Sequence, residues 1–292
     1  MNLERPSSQG PTSRTIPRAI FGAESLSMEA IIPQHPSKRC PVPYPIAIGD
    51  HAVSSLTSAL ELLKMLRDDS FCNWTERTFA QHLRPDDLDE IETSTRDVLS
   101  DYLANSVRDL KLFQSRVDLT ETSELVAKFS ALDSEKLAAI AGRCVGLNSQ
   151  QMRVGQASTQ PDAQGRFVQF IPPEQVPRVL NDVCTAWNIE SSGEAALLRA
   201  LWIFVATLNA HAFCDGNGRL ARTLLNSYLL RAGVLSRTPL PLGPLIYATR
   251  GNFEIAVRRV ELMGDWTSLC AAFKSLVLSY VKISGIRGRQ TA

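Results

Sequence analysis

The residues best suited to chemistry lie together in one short stretch in the last third of the chain. That stretch reads His211-Ala212-Phe213-Cys214-Asp215-Gly216-Asn217-Gly218-Arg219-Leu220-Ala221-Arg222. An imidazole can act as general base on a hydroxyl near neutral pH, and a carboxylate is a hard oxygen ligand suited to Mg²⁺ that bridges phosphates. The stretch therefore predicts a phosphate-handling site with His211 as the base and Asp215 as the metal ligand.

The glycines and arginines of this stretch are suited to binding phosphate. Gly216 and Gly218 let the backbone approach an anion closely, and Asn217 tolerates a left-handed conformation and offers an amide donor. Arg219 and Arg222 are three positions apart, so they share a helix face and can fork onto phosphate oxygens. We predict that these five residues bind phosphate at the N-terminus of a helix, where the helix dipole adds positive charge.

Two helices are expected to hold this stretch between them. The residues from Glu194 to Ala210 are almost continuously apolar, and those from Leu220 to Leu230 are amphipathic. The pattern predicts two helices joined by a short loop, the first buried on all sides, with Phe213 pointing into the core. A membrane span over the same apolar residues is disfavoured because Arg199 and His211 interrupt it.

The stretch resembles the signature of the Fic family, HPFxDGNGRxxR, at eight specified positions, with Ala212 where the family usually has proline. The resemblance implies transfer of AMP from ATP to a Tyr, Thr or Ser hydroxyl of a target protein. In that chemistry His211 deprotonates the hydroxyl, and pyrophosphate leaves on the Mg²⁺ held by Asp215. The kinase branch of the family has lysine at the position of Gly218, so nucleotidyl transfer is favoured.

Three alternatives stay open at this stage. The donor could be UTP or a CDP-linked head group, because Asn252 and Phe253 stand where the family often has a pair of tyrosines near the nucleotide base. The chain could be a non-catalytic interaction module that retains only the fold. In the third alternative the stretch is a tight turn between helices, with His211 as a capping or core residue and Asp215 as a turn residue.

Composition limits the other function classes. The chain has 292 residues, 44% of them hydrophobic and 21% charged, with a formal net charge of +1. Near-neutral charge gives no reason to expect nucleic acid or a membrane as partner. The six cysteines form no CxxC pair, which predicts neither a zinc site nor a disulfide framework and favours a reducing compartment. The predicted partners are ATP and a target protein, and an antitoxin-like inhibitor or a homo-oligomer is left open.

The predicted fold class is mainly α, a Fic-type helical bundle with a small β-hairpin flap and an N-terminal helical extension. We divide the chain into a flexible Pro- and Ser-rich segment (1–45), a helical region (46–147), a Fic core (148–284) and a basic tail (285–292). A cytoplasmic location is expected, because no signal peptide is visible, and the Ser/Pro-rich leader leaves delivery into a host cell as an effector open. The predicted helices outside the central pair are Val53–Leu66, Asp86–Phe113, Glu124–Val145, Pro173–Trp187, Asn252–Met263 and Trp266–Val281.

The hairpin flap is predicted from two short β-prone runs, Met152–Gln156 and Arg166–Ile171, around a loose turn. By resemblance to the family, the flap residues Arg166, Phe167, Val168 and Gln169 would pair with a segment of the target and bring its hydroxyl to His211. The alternative is a plain hairpin that covers the core.

Glu29 and Glu61 are candidate inhibitory residues. Many Fic proteins carry an inhibitory [ST]xxxE[GN] helix whose glutamate pairs with the second arginine of the signature. Ser25 with Glu29, and Thr57 with Glu61, match this pattern except at its last position. No [ST]xxxE follows the signature, so a C-terminal helix of this type is excluded.

Overall fold

The computed structural model describes residues 40–66, 119–158, 169–236, 238–249 and 252–291, and these are mainly α-helical, as the sequence predicts. A 3₁₀ turn at Pro173–Gln175 leads into the fourth helix. The helices are α1 Asp50–Met65, α2 Leu119–Ala127, α3 Ser134–Arg143, α4 Val176–Asn188, α5 Gly193–Ala210, α6 Asn217–Arg231, α7 Leu242–Ala248, α8 Asn252–Met263 and α9 Trp266–Thr291.

Helix α5 is the centre of the fold. It packs against α1, α4, α6 and α8, and most of its side chains are buried, including Trp202 and Phe204. Among the described helices it is the one long and apolar enough to cross a membrane by length and composition, and 67% of that window is buried inside the protein. The prediction of a buried central helix is confirmed, and it gives the loop that follows α5 a rigid support.

Helix α6 continues from that loop and packs along α5. Its buried face carries leucines and Tyr228, whose ring meets the buried Trp187 of α4 edge to face, with ring centroids 5.7 Å apart. Burial of an aromatic pair of this kind is among the larger contributions to a helical core. Helix α4 therefore packs against α5 and contacts α6 through this ring pair.

The predicted helix Glu124–Val145 is wrong as a single element. The structure has α2 and α3 instead, separated by residues 128–133. The cause is a helix cap, because the Asp133 carboxylate accepts a hydrogen bond from the Lys136 N–H at 2.8 Å and so starts a new helix. The same contact lowers the pKa of Asp133, since hydrogen bonding favours its charged form. The predicted helix Asp86–Phe113 lies outside the described residues.

The last residues of the predicted flexible segment are packed rather than loose. The indole N–H of Trp202 donates to the Val42 carbonyl at 3.1 Å, and the side-chain amide of Asn209 donates to the Cys40 carbonyl at 2.9 Å. Tyr44 meets Trp202 edge to face. Composition did not predict this packing, because it depends on two polar side chains of the buried α5 that donate to backbone carbonyls of the segment.

Helix α9 packs along α1, which joins the two ends of the described chain. Its backbone is helical through to Thr291, so it runs across the boundary at which the basic tail was predicted to begin. The apolar residues of α9 that face the core include Leu269, Phe273 and Val277, at helical spacing. The predicted end at Val281 is therefore too early.

The predicted hairpin flap is not confirmed. In the described residues on either side of 159–168, Ser158 and Gln169 form one isolated antiparallel bridge. The described parts of the two predicted runs, residues 152–156 and 169–171, form no strand. Of the four predicted docking residues, Gln169 lies at this bridge. The other three, Arg166, Phe167 and Val168, lie outside the described residues, and their docking role stays a prediction.

Candidate active site

His211 follows the last residue of α5 and turns the chain into the loop. Its φ and ψ are 41° and 52°, the left-handed region, and among the described residues it is the one non-glycine residue with positive φ. Its N–H still bonds to the Thr207 carbonyl at 3.2 Å, so the helix ends at this residue. Backbone strain at a chemically competent side chain is a frequent feature of functional sites.

The loop is closed by the side chain of Asn217. Its carbonyl oxygen accepts the Phe213 N–H at 3.0 Å, and its amide donates to the Phe213 carbonyl at 2.6 Å. Asn217 and Phe213 are both buried, so the prediction that Phe213 points into the core is confirmed. The side-chain amide of Asn217, which we predicted as a phosphate donor, is used inside the loop, and a phosphate contact at this residue falls to its backbone N–H.

The first turn of α6 presents backbone donors at the end of this loop. The first helical bond runs from the Leu220 N–H to the Gly216 carbonyl at 2.8 Å. The N–H groups of Asn217, Gly218 and Arg219 therefore have no partner within the helix, as is general for a helix N-terminus. Such a turn favours an anion through its donors and its dipole.

Gly216 is required by two independent constraints. Its φ is +76°, and a Cβ built on it would lie 2.6 Å from Cγ1 of Val145. Residues other than glycine rarely adopt this φ. Two carbon atoms also cannot lie so close together unless the neighbouring side chain or backbone shifts. The residue that lets the chain enter α6 is thus also the one that lets the loop lie against the end of α3.

We expect Gly216→Ala to destabilise the protein by about 1–3 kcal/mol, because the methyl group adds left-handed strain and a clash with Val145. The matched control is Gly218→Ala, whose Cβ would meet only Arg222 Nη1, at 3.5 Å. Alanine in a helical turn is favourable by about 1 kcal/mol relative to glycine, so this control should unfold at the same or a higher urea concentration. Equal urea midpoints for the two variants would contradict the assignment.

Asp215 and Arg219 are bonded to each other. The Asp215 carboxylate accepts from Arg219 Nη2 at 2.9 Å and from the Gly216 N–H at 2.5 Å, and 73% of its side-chain surface is exposed. An exposed pair of this kind is worth about 0–1 kcal/mol, so its exchange for a cation on Asp215 and a phosphate on Arg219 costs little. The predicted metal ligand and the predicted phosphate ligand therefore meet in one place.

Arg222 lies one turn further along α6 and has a carboxylate in its surroundings. Although part of Glu254 on α8 is exposed, desolvation raises the pKa of its carboxyl, and the charges of Arg222 and Arg258 oppose that rise. Two cations from two helices thus surround one acidic group beside the first turns of α6.

The predicted Mg²⁺ fits this site only as a singly anchored ion. No group of three or more His, Cys, Asp or Glu side chains that could hold a metal occurs within the ranges that the structure describes. Mg²⁺ in nucleotide enzymes is commonly bound by one or two carboxylates, its own waters and the substrate phosphates. The exposed carboxylate of Asp215 suits that arrangement.

Arg153 is a residue of this site that sequence reasoning missed. Its Nε donates to the His211 carbonyl at 2.8 Å and its Nη2 to the Ala210 carbonyl at 3.1 Å, while its backbone N–H donates to the Ala212 carbonyl at 2.8 Å. One residue thus holds three consecutive carbonyls where α5 ends. Burial lowers the pKa of its guanidinium, but arginine stays charged in proteins.

The remaining donors of Arg153 join the loop to the predicted flap. Nη1 bonds to the Gly155 carbonyl at 2.8 Å and Nη2 to the Ile171 carbonyl at 2.5 Å. These acceptors lie on the two sides of the Ser158–Gln169 bridge. The only signal in the sequence was the partial match of Gln151–Val154 to the Gly-x-x-Arg pattern that often opens the Fic core.

Two further contacts attach the signature to its surroundings. Met152 forms an isolated antiparallel bridge with Phe213, and the side-chain amide of Gln150 donates to the Asp215 carbonyl at 3.1 Å and the Ala141 carbonyl at 2.9 Å. The loop that carries the candidate base and metal ligand is therefore held by contacts with α3, by contacts with residues 150–153 and by the hydrogen bonds of the Asn217 side chain within the loop. Such support is what preorganises a catalytic site.

The candidate inhibitory residues stay predictions. Glu61 on α1 is exposed and forms an ion pair with Lys64 at 2.6 Å, and Thr57 donates a hydrogen bond to Glu194. Glu29 lies outside the described residues.

The comparison with protein families matches residues 131–229 to the Fic/DOC family. That range contains the whole signature and begins before the predicted start of the core at residue 148. No curated protein matches the chain.

The comparison with solved structures also found matches. A Fic domain containing signaling protein from Bacteroides thetaiotaomicron is 16% identical, with a TM-score of 0.41, and the match covers 82% of this chain and 93% of that one. Fic-1 from C. elegans is 18% identical, with a TM-score of 0.45, and the match covers 82% of this chain and 72% of that one. From the family match, residues 131–229 of the chain, which include the signature, resemble the Fic/DOC family.

Proposed function

We propose that the protein is an adenylyltransferase that transfers AMP from ATP to a Tyr, Thr or Ser hydroxyl of a target protein. The observation that carries the proposal is the loop from His211 to Asn217. It is closed by the Asn217 side chain on the Phe213 backbone, so a strained histidine and a helix N-terminus with three backbone donors are held a few residues apart. A base for a hydroxyl and a binding site for phosphate are the two parts that this reaction needs.

In the proposed reaction the imidazole of His211 accepts the proton of the target hydroxyl. The hydroxyl oxygen forms a bond to the α-phosphorus of ATP, the bond between that phosphorus and the α–β bridging oxygen breaks, and pyrophosphate leaves. The N–H groups at the start of α6, with Arg219 and Arg222, bind the phosphate oxygens and stabilise the charge that develops on them. Mg²⁺ held by Asp215 would offset the charge of the leaving pyrophosphate.

The residues expected near the donor base depart from the family pattern. Phe253, at a position where the family often has a tyrosine near the base, is 2% exposed and packs edge to face on Phe204 with ring centroids 5.9 Å apart. This ring belongs to the core of the bundle. UTP or a CDP-linked head group is therefore retained as the second candidate donor.

Labelled donors would test both candidates together. The protein is incubated with a cell lysate and one of five donors: ATP, GTP, CTP or UTP labelled at the α-phosphate, or a CDP-linked donor labelled in its head group. ATP labelled at the γ-phosphate is the control for phosphoryl transfer. We expect protein labelling from α-labelled ATP and none from γ-labelled ATP, with the modified residue located by mass spectrometry. Labelling from UTP and not from ATP would overturn the choice of donor, and no labelling from any donor would favour a non-catalytic module.

Asp215→Ala should raise the Mg²⁺ concentration for half-maximal transfer by at least about tenfold, because it removes the one protein carboxylate assigned to the ion. Transfer at ordinary Mg²⁺ should then be lost. Asp215→Glu keeps a carboxylate at the position and serves as the control, with a smaller rise. An unchanged Mg²⁺ dependence in Asp215→Ala would show that the carboxylate does not bind the ion.

A further inference from the structure

The candidate base is covered on one face by an aromatic ring. The ring of Phe170 lies on the imidazole of His211 with centroids 3.9 Å apart and planes inclined by 12°, a nearly parallel stack. The guanidinium carbon of Arg258 lies over the same phenyl ring at 5.9 Å from its centroid. A side chain from the second predicted flap run therefore contacts the histidine that the loop presents, and a side chain from α8 contacts that phenyl ring.

The phenyl ring is itself firmly held. Phe170 is 6% exposed, its N–H donates to the Ala157 carbonyl at 2.9 Å, and its carbonyl accepts from the Gln156 side-chain amide at 2.8 Å. The next carbonyl along the chain, of Ile171, accepts from Arg153. On the other helix, Arg258 is fixed by an ion pair with Glu261. The phenyl ring of Phe170 and the guanidinium of Arg258 are therefore both held by their own contacts, and neither can shift independently of the core.

A stack of this geometry restricts the imidazole. Rotation of the His211 ring about its side-chain bonds would move it out of parallel contact with Phe170, so one orientation is favoured. A general base works only while its nitrogen is within hydrogen-bond reach of the proton it takes. We propose that Phe170 is a positioning residue that holds the imidazole of His211 in the orientation in which it accepts the proton of the incoming hydroxyl. This inference rests on the proposed function.

The alternative is that Phe170 is an ordinary core residue. Loss of a core ring lowers stability and leaves the chemical step of the folded fraction unchanged. Loss of a positioning ring lowers kcat at saturating ATP and leaves the KM for ATP unchanged, because the phosphates bind at the other end of the loop. The two roles can therefore be separated by kinetics.

The variants are Phe170→Leu, which keeps an apolar side chain but has no flat face, and Phe170→Tyr, which keeps the ring. Apparent kcat and KM are measured with α-labelled ATP and a fixed cell lysate as acceptor, below the melting temperature of each variant. We expect Phe170→Leu to lower kcat by about tenfold, with KM for ATP within about twofold, and Phe170→Tyr to restore kcat to within about twofold of wild type. A wild-type kcat in Phe170→Leu, or equal losses in both variants, would overturn the inference.

A second measurement does not depend on activity. The chain has four histidines, and the ring C–H resonances of His211 are identified by their absence in His211→Ala. Protons above a phenyl face are shielded, so these resonances should lie upfield in the wild type and move to ordinary positions in Phe170→Leu. Ordinary positions in the wild type would refute the stack. If the wild type transfers no nucleotide, the proposed function fails, while the resonances still decide whether Phe170 orients the imidazole.

Discussion

His211→Ala is expected to lower nucleotide transfer by about 10²–10⁴-fold, the range supplied by a positioned general base. The loss should fall on kcat, because the groups assigned to phosphate lie on α6 and are not altered. The protein should stay folded, with a loss of about 1 kcal/mol from the missing stack on Phe170 and from alanine in the left-handed region. Initial rates with α-labelled ATP, combined with urea unfolding, measure both effects.

The matched control is His51→Ala, since His51 is an exposed histidine on α1. This variant should keep the wild-type rate and stability. Binding of ATP, followed by calorimetry, should persist in His211→Ala. Transfer at the wild-type rate in His211→Ala would show that the imidazole is not the proton acceptor of the reaction. If the wild type transfers no nucleotide and the biological activity is the same in His211→Ala, the interaction-module alternative is favoured.

The parts of the site that the sequence predicts are those set by local pattern. The apolar run up to Ala210 and the amphipathic run after Leu220 predict two helices, and the structure ends the first at Ala210 and starts the second at Asn217. Glycine between the runs predicts a backbone that leaves the ordinary φ range, and Gly216 does so. Burial of α5 follows from its composition alone. These features need no knowledge of which distant residues meet.

The parts that the sequence does not predict are long-range contacts made by residues with no distinguishing neighbours. Arg153 lies in the β-prone run Met152–Gln156, and 58 residues separate it from the His211 carbonyl that it binds. Phe170 reads as one more apolar residue in a β-prone run, and only the folded chain brings it onto the imidazole. Likewise, the packing of Val42 depends on a donor from Trp202. Such contacts depend on the tertiary fold, which local periodicity does not encode.

The assigned roles of the charged residues also change once they are seen together. The sequence assigns Asp215 to a cation and Arg219 to phosphate as separate groups, while the structure bonds them to each other. While Asp215 and Arg219 are paired, the carboxylate is not available to a cation and the guanidinium is not available to phosphate. The binding of a metal–nucleotide complex would separate them. Sequence reasoning missed this pair because Asp215 lies two residues before α6, whereas the pairing of charged side chains four apart is a rule for residues within one helix.

Arg153→Ala is expected to have the largest effect on stability, a loss of about 3–5 kcal/mol, together with a loss of transfer of about a hundredfold or more. The guanidinium donates to four carbonyls, of Gly155, Ile171, Ala210 and His211, and alanine leaves them without that donor. Carbonyls buried without a partner are costly, and the strained His211 would relax as they turn toward water. Urea unfolding and initial rates measure the two losses.

Two controls separate this role from a general need for positive charge. Arg153→Lys keeps the charge but cannot reach carbonyls on three segments, because an ammonium group lacks the fixed fork of donors, so it should recover only part of the stability and of the rate. Arg178→Ala removes an exposed arginine on α4 and should change neither. If Arg153→Lys matched the wild type in both measurements, charge alone would suffice. The left-handed turn at His211 would then have to be maintained by Asn217, Gly216 and the backbone of residue 153, without the guanidinium's fork of donors.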